Sequence, residues 1–326
     1  MNRREMTLAL AAFAAAPFIA RAQQRARPAR VAMVGYANPA ATGFVIEALK
    51  QGMRERGYIE GKDYVFEVRW AYGKVERLPE VAKEVLALKP DVIVVGGTIM
   101  AVTAHKATST IPIVAISVSD PVGSGVAESL ARPGRNVTGL SFLLVDVNAK
   151  LLELLLAAVP RLSRVAVLWN PSSLTTDAYL KNLESAAQHA KVGLVVLEAQ
   201  TPADIDGAFA RMTRDKIGAA IVPSDSLYLT QRRQIAELAM KNRIASVYAS
   251  REHVEAGGLM SYGQDWVAGW RYAATFIDKI LKGAKPGDLP FEQSTTFELA
   301  VNLKTAKAIG VTIPQSVLIR ADKVIE

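Results

Sequence analysis

The chain of 326 residues contains no cysteine. That excludes disulfides, cysteine-ligated zinc, thiol catalysis and Cys-anchored lipids together. It leaves the compartment open, because cores of this size stand without disulfides even in an oxidising space. Histidine is nearly as scarce: His105, His189 and His253 are the full set, and they are far apart in sequence. Two fall in predicted helices and the third beside one, so each reads as a surface or helix-flank residue rather than a base or a ligand. There is no H-E-x-x-H, G-x-S-x-G, Walker loop or G-x-G-x-x-G. Gly123-Ser124-Gly125 is only a fragment of a glycine fingerprint, with no acidic ribose partner after it. No helix-turn-helix, zinc knuckle or aromatic RNA-reading signature occurs. No internal apolar run approaches the roughly 20 residues needed to span a bilayer. These absences argue against an enzyme with a convergent His, Cys or metal set and against a nucleic-acid reader. The chain is expected to be no enzyme and to carry no cofactor or metal.

What is present describes an ordinary globular protein, 50% hydrophobic and 21% charged. Its length suits about two domains of 100–200 residues. The net charge is +8, but the basic residues of 47–56 and 74–84 are interleaved with Glu, which reads as a solvated mixed surface. The first residues address the chain. Arg3-Arg4 precedes an Ala/Leu/Phe run over 8–20 that has no polar face, and Ala20-Arg21-Ala22 fits the small-x-small cleavage rule. Residues 1–22 therefore read as a signal peptide cleaved after Ala22. The adjacent arginines permit a twin-arginine route.

Beyond it, β-branched runs alternate with helix-period segments. Strands are predicted over 30–35, 62–70, 91–95, 111–117 and 136–140, then over 165–169, 194–199, 219–223, 244–248, 257–262 and 295–301. Helices of about 10–15 residues lie between most of them, including one over 227–242, and a helix start is read at 120–125. Such alternation implies βαβ units and parallel sheets. More than ten strands would overload one sheet. The expected fold is therefore α/β, two doubly wound parallel-sheet lobes joined by a multi-crossing hinge. Lobe 1 takes residues 29–141 plus 258–284 and lobe 2 takes 142–257 plus 285–326. Crossings are expected near 141–146, 256–258 and 283–290, the last being the most Pro/Gly-dense linker.

In open α/β sheets ligands bind beyond the carboxyl ends of the strands. Gly35-Tyr36, Gly97-Thr98 and Ser119-Asp120-Pro121 occupy such ends in lobe 1. Asp120 with Pro121 is a helix start in its own right, and the N–H groups it organises suit a carboxylate. Thr98 and Ser119 add hydroxyl donors. In lobe 2, Asn170 follows one strand, and Asp225 and Ser226 follow another. Asp225 reads equally as a cap for the next helix and as the partner of an ammonium group. Tyr36, Tyr228 and Tyr262 sit at strand ends where they can edge an aromatic ligand. Asp204 and Asp206 read as helix-dipole partners rather than a metal pair.

These stretches together resemble the ABC transporter substrate-binding protein family, with its type 1 periplasmic binding protein fold. The resemblance runs through VAMVGY, ALKQGMRERGYIEGKDYVFEVRWAYGKVERLP, KPDVIVVGGT, IPIVAISVSDPVGSGVAESLARPGRNVTGLS, LLELLLAAVPRLSRVAVLWNP, VPSDSLY and FELAVNLKTAKAIGVTIPQSVLIRADKVIE. It covers nearly all of the chain after residue 22, and its specificity lies in the order and spacing of the pieces. Where the family shows Thr before Asp120, this chain has Ser117 and Ser119, which keeps the hydroxyl. The resemblance implies a periplasmic, monomeric solute receptor that hands cargo to an inner-membrane ABC permease. It also implies a carboxylated solute, an aromatic amino acid among the candidates, touched by Thr98, Ser119, Asp120, Asn170, Asp225 and Tyr262. With no lipobox cysteine, a freely diffusing form is expected. The alternatives are a ligand-sensing subunit for a membrane signalling receptor and an enzyme on the same two-lobe frame.

Overall fold

A computed structural model describes residues 27–142, 144–160, 162–172, 176–293 and 297–326. Residues 1–22, read above as a signal peptide, lie outside the described residues.

The chain opens with β1 (Ala29–Gly35), α1 (Pro39–Glu55), β2 (Tyr64–Trp70), α2 (Leu78–Ala87), β3 (Val92–Gly96), α3 (Thr98–Ala107), β4 (Ile113–Val118) and β5 (Val137–Ser141). It continues through α4 (Leu144–Ala158), β6 (Arg164–Trp169), α5 (Thr176–His189), β7 (Gly193–Glu198), α6 (Pro202–Arg214) and β8 (Ala219–Val222). Then come α7 (Ser226–Thr230), α8 (Arg232–Lys241), β9 (Ala245–Tyr248), α9 (Arg251–Glu255) and β10 (Met260–Gln264). The last elements are α10 (Trp266–Leu281), β11 (Glu292–Gln293), β12 (Phe297–Asn302), α11 (Leu303–Ile309), α12 (Gln315–Leu318) and β13 (Lys323–Ile325).

Two sheets result, in the orders β11-β5-β4-β3-β1-β2 and β13-β12-β10-β9-β8-β6-β7. Every pairing in the first is parallel. In the second only β10 and β12 run antiparallel. The all-apolar runs explain this. In β3, Ile93 and Val95 face a core with Leu78, Val81 and Val85 of α2 and Met100 and Ala104 of α3. Val92 and Val94 face the opposite core, with Leu49 and Met53 of α1 and Phe276 and Ile277 of α10. A strand covered by helices on both faces needs no polar side, so it reads as a continuous β-branched run. The expected two-lobed parallel α/β fold is what the chain adopts.

Several local expectations are corrected. Residues 256–258 do not return the chain to lobe 1. They form a helix-to-strand turn inside lobe 2, with Gly257 at φ +108, and a Cβ on Gly258 would stand 2.4 Å from the Tyr248 ring. β10 then pairs with β9 and β12 in the second sheet, so the crossing comes at Asp265, where α10 leaves to pack on lobe 1. The 283–290 segment does not cross either. It runs along lobe 1, where Thr138 Oγ1 donates to Leu289 O (2.8 Å) and Phe291 N donates to Leu130 O (2.8 Å). β11 then adds to β5, and β12, the next described strand, belongs to the second sheet. The helix expected over 227–242 breaks at Gln231 into α7 and α8. No helix begins at Asp120; Pro121–Gly125 is a run of turns. Among the described residues, no helix is long and apolar enough to cross a membrane.

Candidate ligand cleft

The carboxyl ends of β1, β3 and β4 face those of β6, β8 and β9 across a cleft. It encloses about 810 Å³ of empty space, its open mouth included.

On the first lobe, Gly97 joins β3 to α3 at φ +95, a conformation that favours glycine. It serves as N-cap of α3 without any side-chain cap. The first-turn residues Thr98, Ile99 and Met100 line the cleft, so the uncapped N–H end of a ten-residue helix opens there. Thr98 Oγ1 accepts from Ser119 N (3.1 Å). The Ser119 N–H is therefore spent, while the Thr98 hydroxyl proton remains available to a ligand. The donor ledge expected after Asp120 thus exists, but α3 supplies it. Asp120 is exposed and its Oδ1 accepts from Gly123 N (2.8 Å). It pins a turn and stands outside the cleft lining, as does buried Pro121.

On the second lobe, Asp225 is the N-cap of α7. Its Oδ1 accepts from Leu227 N (2.7 Å) and Tyr228 N (3.3 Å), and its Oδ2 accepts from Asn170 Nδ2 (3.0 Å). Asn170 Oδ1 in turn accepts from Ser172 N (3.1 Å). Asn170, Asp225 and Ser226 all line the cleft. The two readings of Asp225 are therefore compatible: it caps a helix and its carboxylate stands at the ligand space. Burial pushes that carboxyl above its ordinary range, against the three hydrogen bonds that favour its charge. Such a group is suited to a cationic partner.

The lobes touch. Tyr36, whose OH donates to Gly73 O (2.8 Å), has its phenol pushed up to about 12, first by burial and next by the charge of Asp225 on the other lobe. At the cleft base, Ser117 Oγ donates to Gln264 Oε1 (2.8 Å). Ser117 holds φ +59 at a bulge between Ala115 and Val118, an uncommon state for a residue with a Cβ. Gln264 is 2% exposed, at the end of β10 where the chain crosses back.

Beside the cleft opens an apolar annex of about 450 Å³, mouth included. Tyr36, Met100, Ser226 and Trp266 belong to both spaces and form the neck. Trp70 and Trp270 line the annex interior. Gly35 and Gly96 explain how two indoles fit there. A Cβ on Gly35 would stand 2.5 Å from Trp70 Cε3, and one on Gly96 would stand 2.6 Å from Trp270 Cζ2. Gly35 therefore seats a tryptophan and does not line the cleft.

Of the residues expected from sequence, Tyr36, Gly97, Thr98, Ser119, Asn170, Asp225 and Ser226 meet at the cleft. Tyr228 does not: it is fully buried in the lobe 2 core, where its OH donates to Ala199 O (3.0 Å). Tyr262 is also absent from the lining; its ring stacks on Phe297 at 5.7 Å. His253, expected at a surface, is 2% exposed. It sits between Ser250 Oγ (2.9 Å) and Tyr228 O (3.1 Å), and its ring stacks on Tyr248. Burial lowers its pKa to about 3. Asp204 closes a capping box with Thr201, the helix-end role expected for it. Sequence reasoning missed Ser117, Phe142, Gln264 and Trp266. A signal for two of these existed: Gln264 ends a strand and Trp266 follows it, at a strand's carboxyl end like the recognised site segments. Among the described residues, no group of three or more His, Cys, Asp or Glu is placed to hold a metal ion.

Comparison with known proteins agrees with this geometry. The family described as ABC transporter substrate binding protein matches residues 33–325. A tyrosine-binding protein of Clostridioides difficile (strain R20291) is 27% identical over 260 residues, 79% of this chain and 74% of that protein. A solved structure from Vibrio cholerae, described as a conserved domain protein, superposes with a TM-score of 0.84 at 28% identity over 91% of this chain and all of that one. The structure of an ABC domain in complex with L-Trp from Streptococcus pneumonia gives a TM-score of 0.82 at 24% identity, over 92% of this chain and 100% of that one. The last likeness speaks to the fold.

Proposed function

The chain belongs to the ABC transporter substrate-binding protein family, and from that premise we propose that it is the solute receptor of an importer, closing over a free aromatic amino acid. The observation that carries this reading is the polarity of the cleft. A helix N-terminus with hydroxyls lies on one lobe, a half-buried carboxylate lies on the other, and an aromatic-lined annex opens between them. A zwitterion matches that layout. Its carboxylate meets the first turn of α3 with Thr98 and Ser119. Its ammonium meets Asp225, and its ring passes the neck into the annex. A name supports the same cargo: a relative 27% identical is described as tyrosine-binding.

The lining supports closure. Ser226, Leu229 and Thr230 of lobe 2 wall an annex otherwise built by lobe 1 and α10, so the annex is complete only with the lobes together. A ligand that touches both lobes binds that state better and shifts the population toward it. The closed outline would then be what an inner-membrane permease recognises. Residues 1–22 would deliver the chain to the periplasm, where it would act as a monomer.

The test is native mass spectrometry of the chain without residues 1–22, as purified, followed by calorimetric titration with the twenty amino acids. We expect retained or added aromatic amino acid at one site. At a hundred times Kd the ligand should stabilise the fold by about 2.7 kcal/mol. Failure of every amino acid to bind, or sustained turnover of a bound solute, would refute the reading.

A further inference from the structure

The cleft and the annex carry one formal charge between them. Among the described residues lining either space, Asp225 is the one charged side chain, and no Lys, Arg or His is present. The chain around them is basic, with a net charge of +8. Burial, Leu227, Tyr228 and Asn170 are what shift the Asp225 carboxyl, and none of them is a cation. The Tyr36 phenol on the opposite wall feels two charges, those of Asp225 and Glu76, and both are negative. Low-dielectric cleft walls focus the field of such a charge.

The lobe 2 wall also keeps acceptors in hand. A carboxylate offers about four lone-pair sites. Asp225 Oδ1 spends two on Leu227 N and Tyr228 N, and Oδ2 spends one on Asn170 Nδ2 (3.0 Å). One site remains on Oδ2. Asn170 Oδ1, which accepts from Ser172 N (3.1 Å) among the described residues, keeps another. An ammonium brings three N–H donors and a full charge to that wall. The lobe 1 wall differs in kind. To a carboxylate it offers the N-terminal dipole of α3, equivalent to about half a charge, and neutral hydroxyls. A full charge on one wall thus faces a partial charge on the other.

We infer that the solute's ammonium is the charge this cleft requires and its carboxylate the one it can do without, so that aromatic primary amines and α-carboxamides form a second ligand class of the same site. This rests on the reading of the cleft as an amino-acid site. A deaminated acid is disfavoured on the same grounds. It would leave Asp225 without a counter-charge and add a second negative charge to a cleft that holds no cation.

The test is calorimetry near neutral pH on the chain without residues 1–22, with tyrosine, tyrosinamide, tyramine and 3-(4-hydroxyphenyl)propionate. Tryptophan, tryptamine and indole-3-propionate are run in parallel. The amide and the amine should compete with the amino acid for one site per chain, about 10- to 100-fold more weakly than it binds. The deaminated acid should bind about 1,000-fold more weakly or worse. Asp225→Asn should erase the preference for amine over acid, bringing the two within about threefold of each other. The wild-type ranking decides should that variant fail to fold. An acid that binds as tightly as the amine, an amine that does not bind where the amino acid does, or a preference that survives Asp225→Asn overturns the inference and leaves the amino-acid reading standing. Binding of neither amino acid overturns both.

Discussion

Asp225 caps α7 and, on the proposed reading, also holds the ligand ammonium, two roles that one pair of substitutions can separate. As an N-cap it accepts from Leu227 N and Tyr228 N through Oδ1, and it holds Asn170 through Oδ2. As a charge it would face the ligand ammonium. Asp225→Asn keeps an acceptor for the cap and removes the charge; Asp225→Ala removes both. Losing an N-cap costs about 1 kcal/mol. Leaving the Asn170 amide without its acceptor adds about 1–2 kcal/mol. Asp225→Ala should therefore lower stability by about 2–3 kcal/mol, and Asp225→Asn, which keeps the cap acceptor but turns an N–H toward Asn170 Nδ2, by about 1–2 kcal/mol, in urea unfolding without ligand. Affinity should behave differently. Removing one member of a buried charge pair costs about 2–5 kcal/mol, so both variants should bind about 30-fold to several thousand-fold more weakly. The pH dependence has a definite sign. Burial raises the Asp225 carboxyl above its ordinary value of 3.8. The folded chain therefore takes up this proton before the unfolded chain does. From this group alone, stability rises as pH falls from that raised value toward 3.8. An ammonium at the site favours the ionised form, so affinity should fall over the same acid window, and Asp225→Asn should flatten that fall. Calorimetry on the three proteins at two pH values decides. If Asp225→Asn binds within about threefold of wild type, the carboxylate is a cap and nothing more.

His253 gives a second pH signature, of opposite sign. Its folded pKa of about 3 lies below the ordinary 6.5, so its contribution is complete above 6.5 and is lost as pH falls toward 3. Between pH 7 and 4 this one group should remove roughly 3 kcal/mol. Urea unfolding of wild type and His253→Gln at both values should show that difference, and equal pH slopes would refute it. Gly96→Ala tests the seat of Trp270. The new Cβ would stand 2.6 Å from Cζ2 of a buried ring, which must shift and narrow the annex. A loss of about tenfold or more in aromatic amino-acid affinity is expected by calorimetry, with about 1–3 kcal/mol of stability. Unchanged affinity would show that the ring does not border the ligand.

The lobed α/β fold was legible because strands covered on both faces carry an unmistakable β-branched run, as in Val92–Gly96. The cleft was legible because strand carboxyl ends are where such sheets bind ligands. What failed did so for local reasons. Asp120-Pro121 has the chemistry of a helix start, but the same Asp pins an isolated turn when Gly123 follows three residues later. Tyr228 follows Asp225 by three residues, yet α7 turns it inward to Ala199 while Asp225 faces the cleft. The sheet joined by β10 is set by pairing partners far along the chain, which periodicity does not encode. Gly35 looked like a place where a backbone meets a ligand, and Gly96 adjoins another. They accommodate indoles, and the spacing of Trp266 and Trp270, four apart on one helix face, was the signal that could have revealed it.

The contact at the cleft base bears on how closure would be driven. The Ser117–Gln264 hydrogen bond joins the lobes, but a neutral bond of this kind contributes only about 0.5–1.5 kcal/mol net. Ser117 also occupies a left-handed conformation, which for a residue with a Cβ costs on the order of 1 kcal/mol. On the proposed reading, contributions this small would let the cleft base guide the lobes together without locking them. Moving a two-state equilibrium from mostly open to mostly closed takes about 5.5 kcal/mol of differential binding. On the proposed reading, the Asp225 contact supplies about 2–5 kcal/mol of that. The α3 N-terminus on the opposite lobe and burial of the ring in a two-lobed annex supply the rest. Neither charged contact suffices alone, and this is the property that would make closure report a whole zwitterion rather than either of its charges.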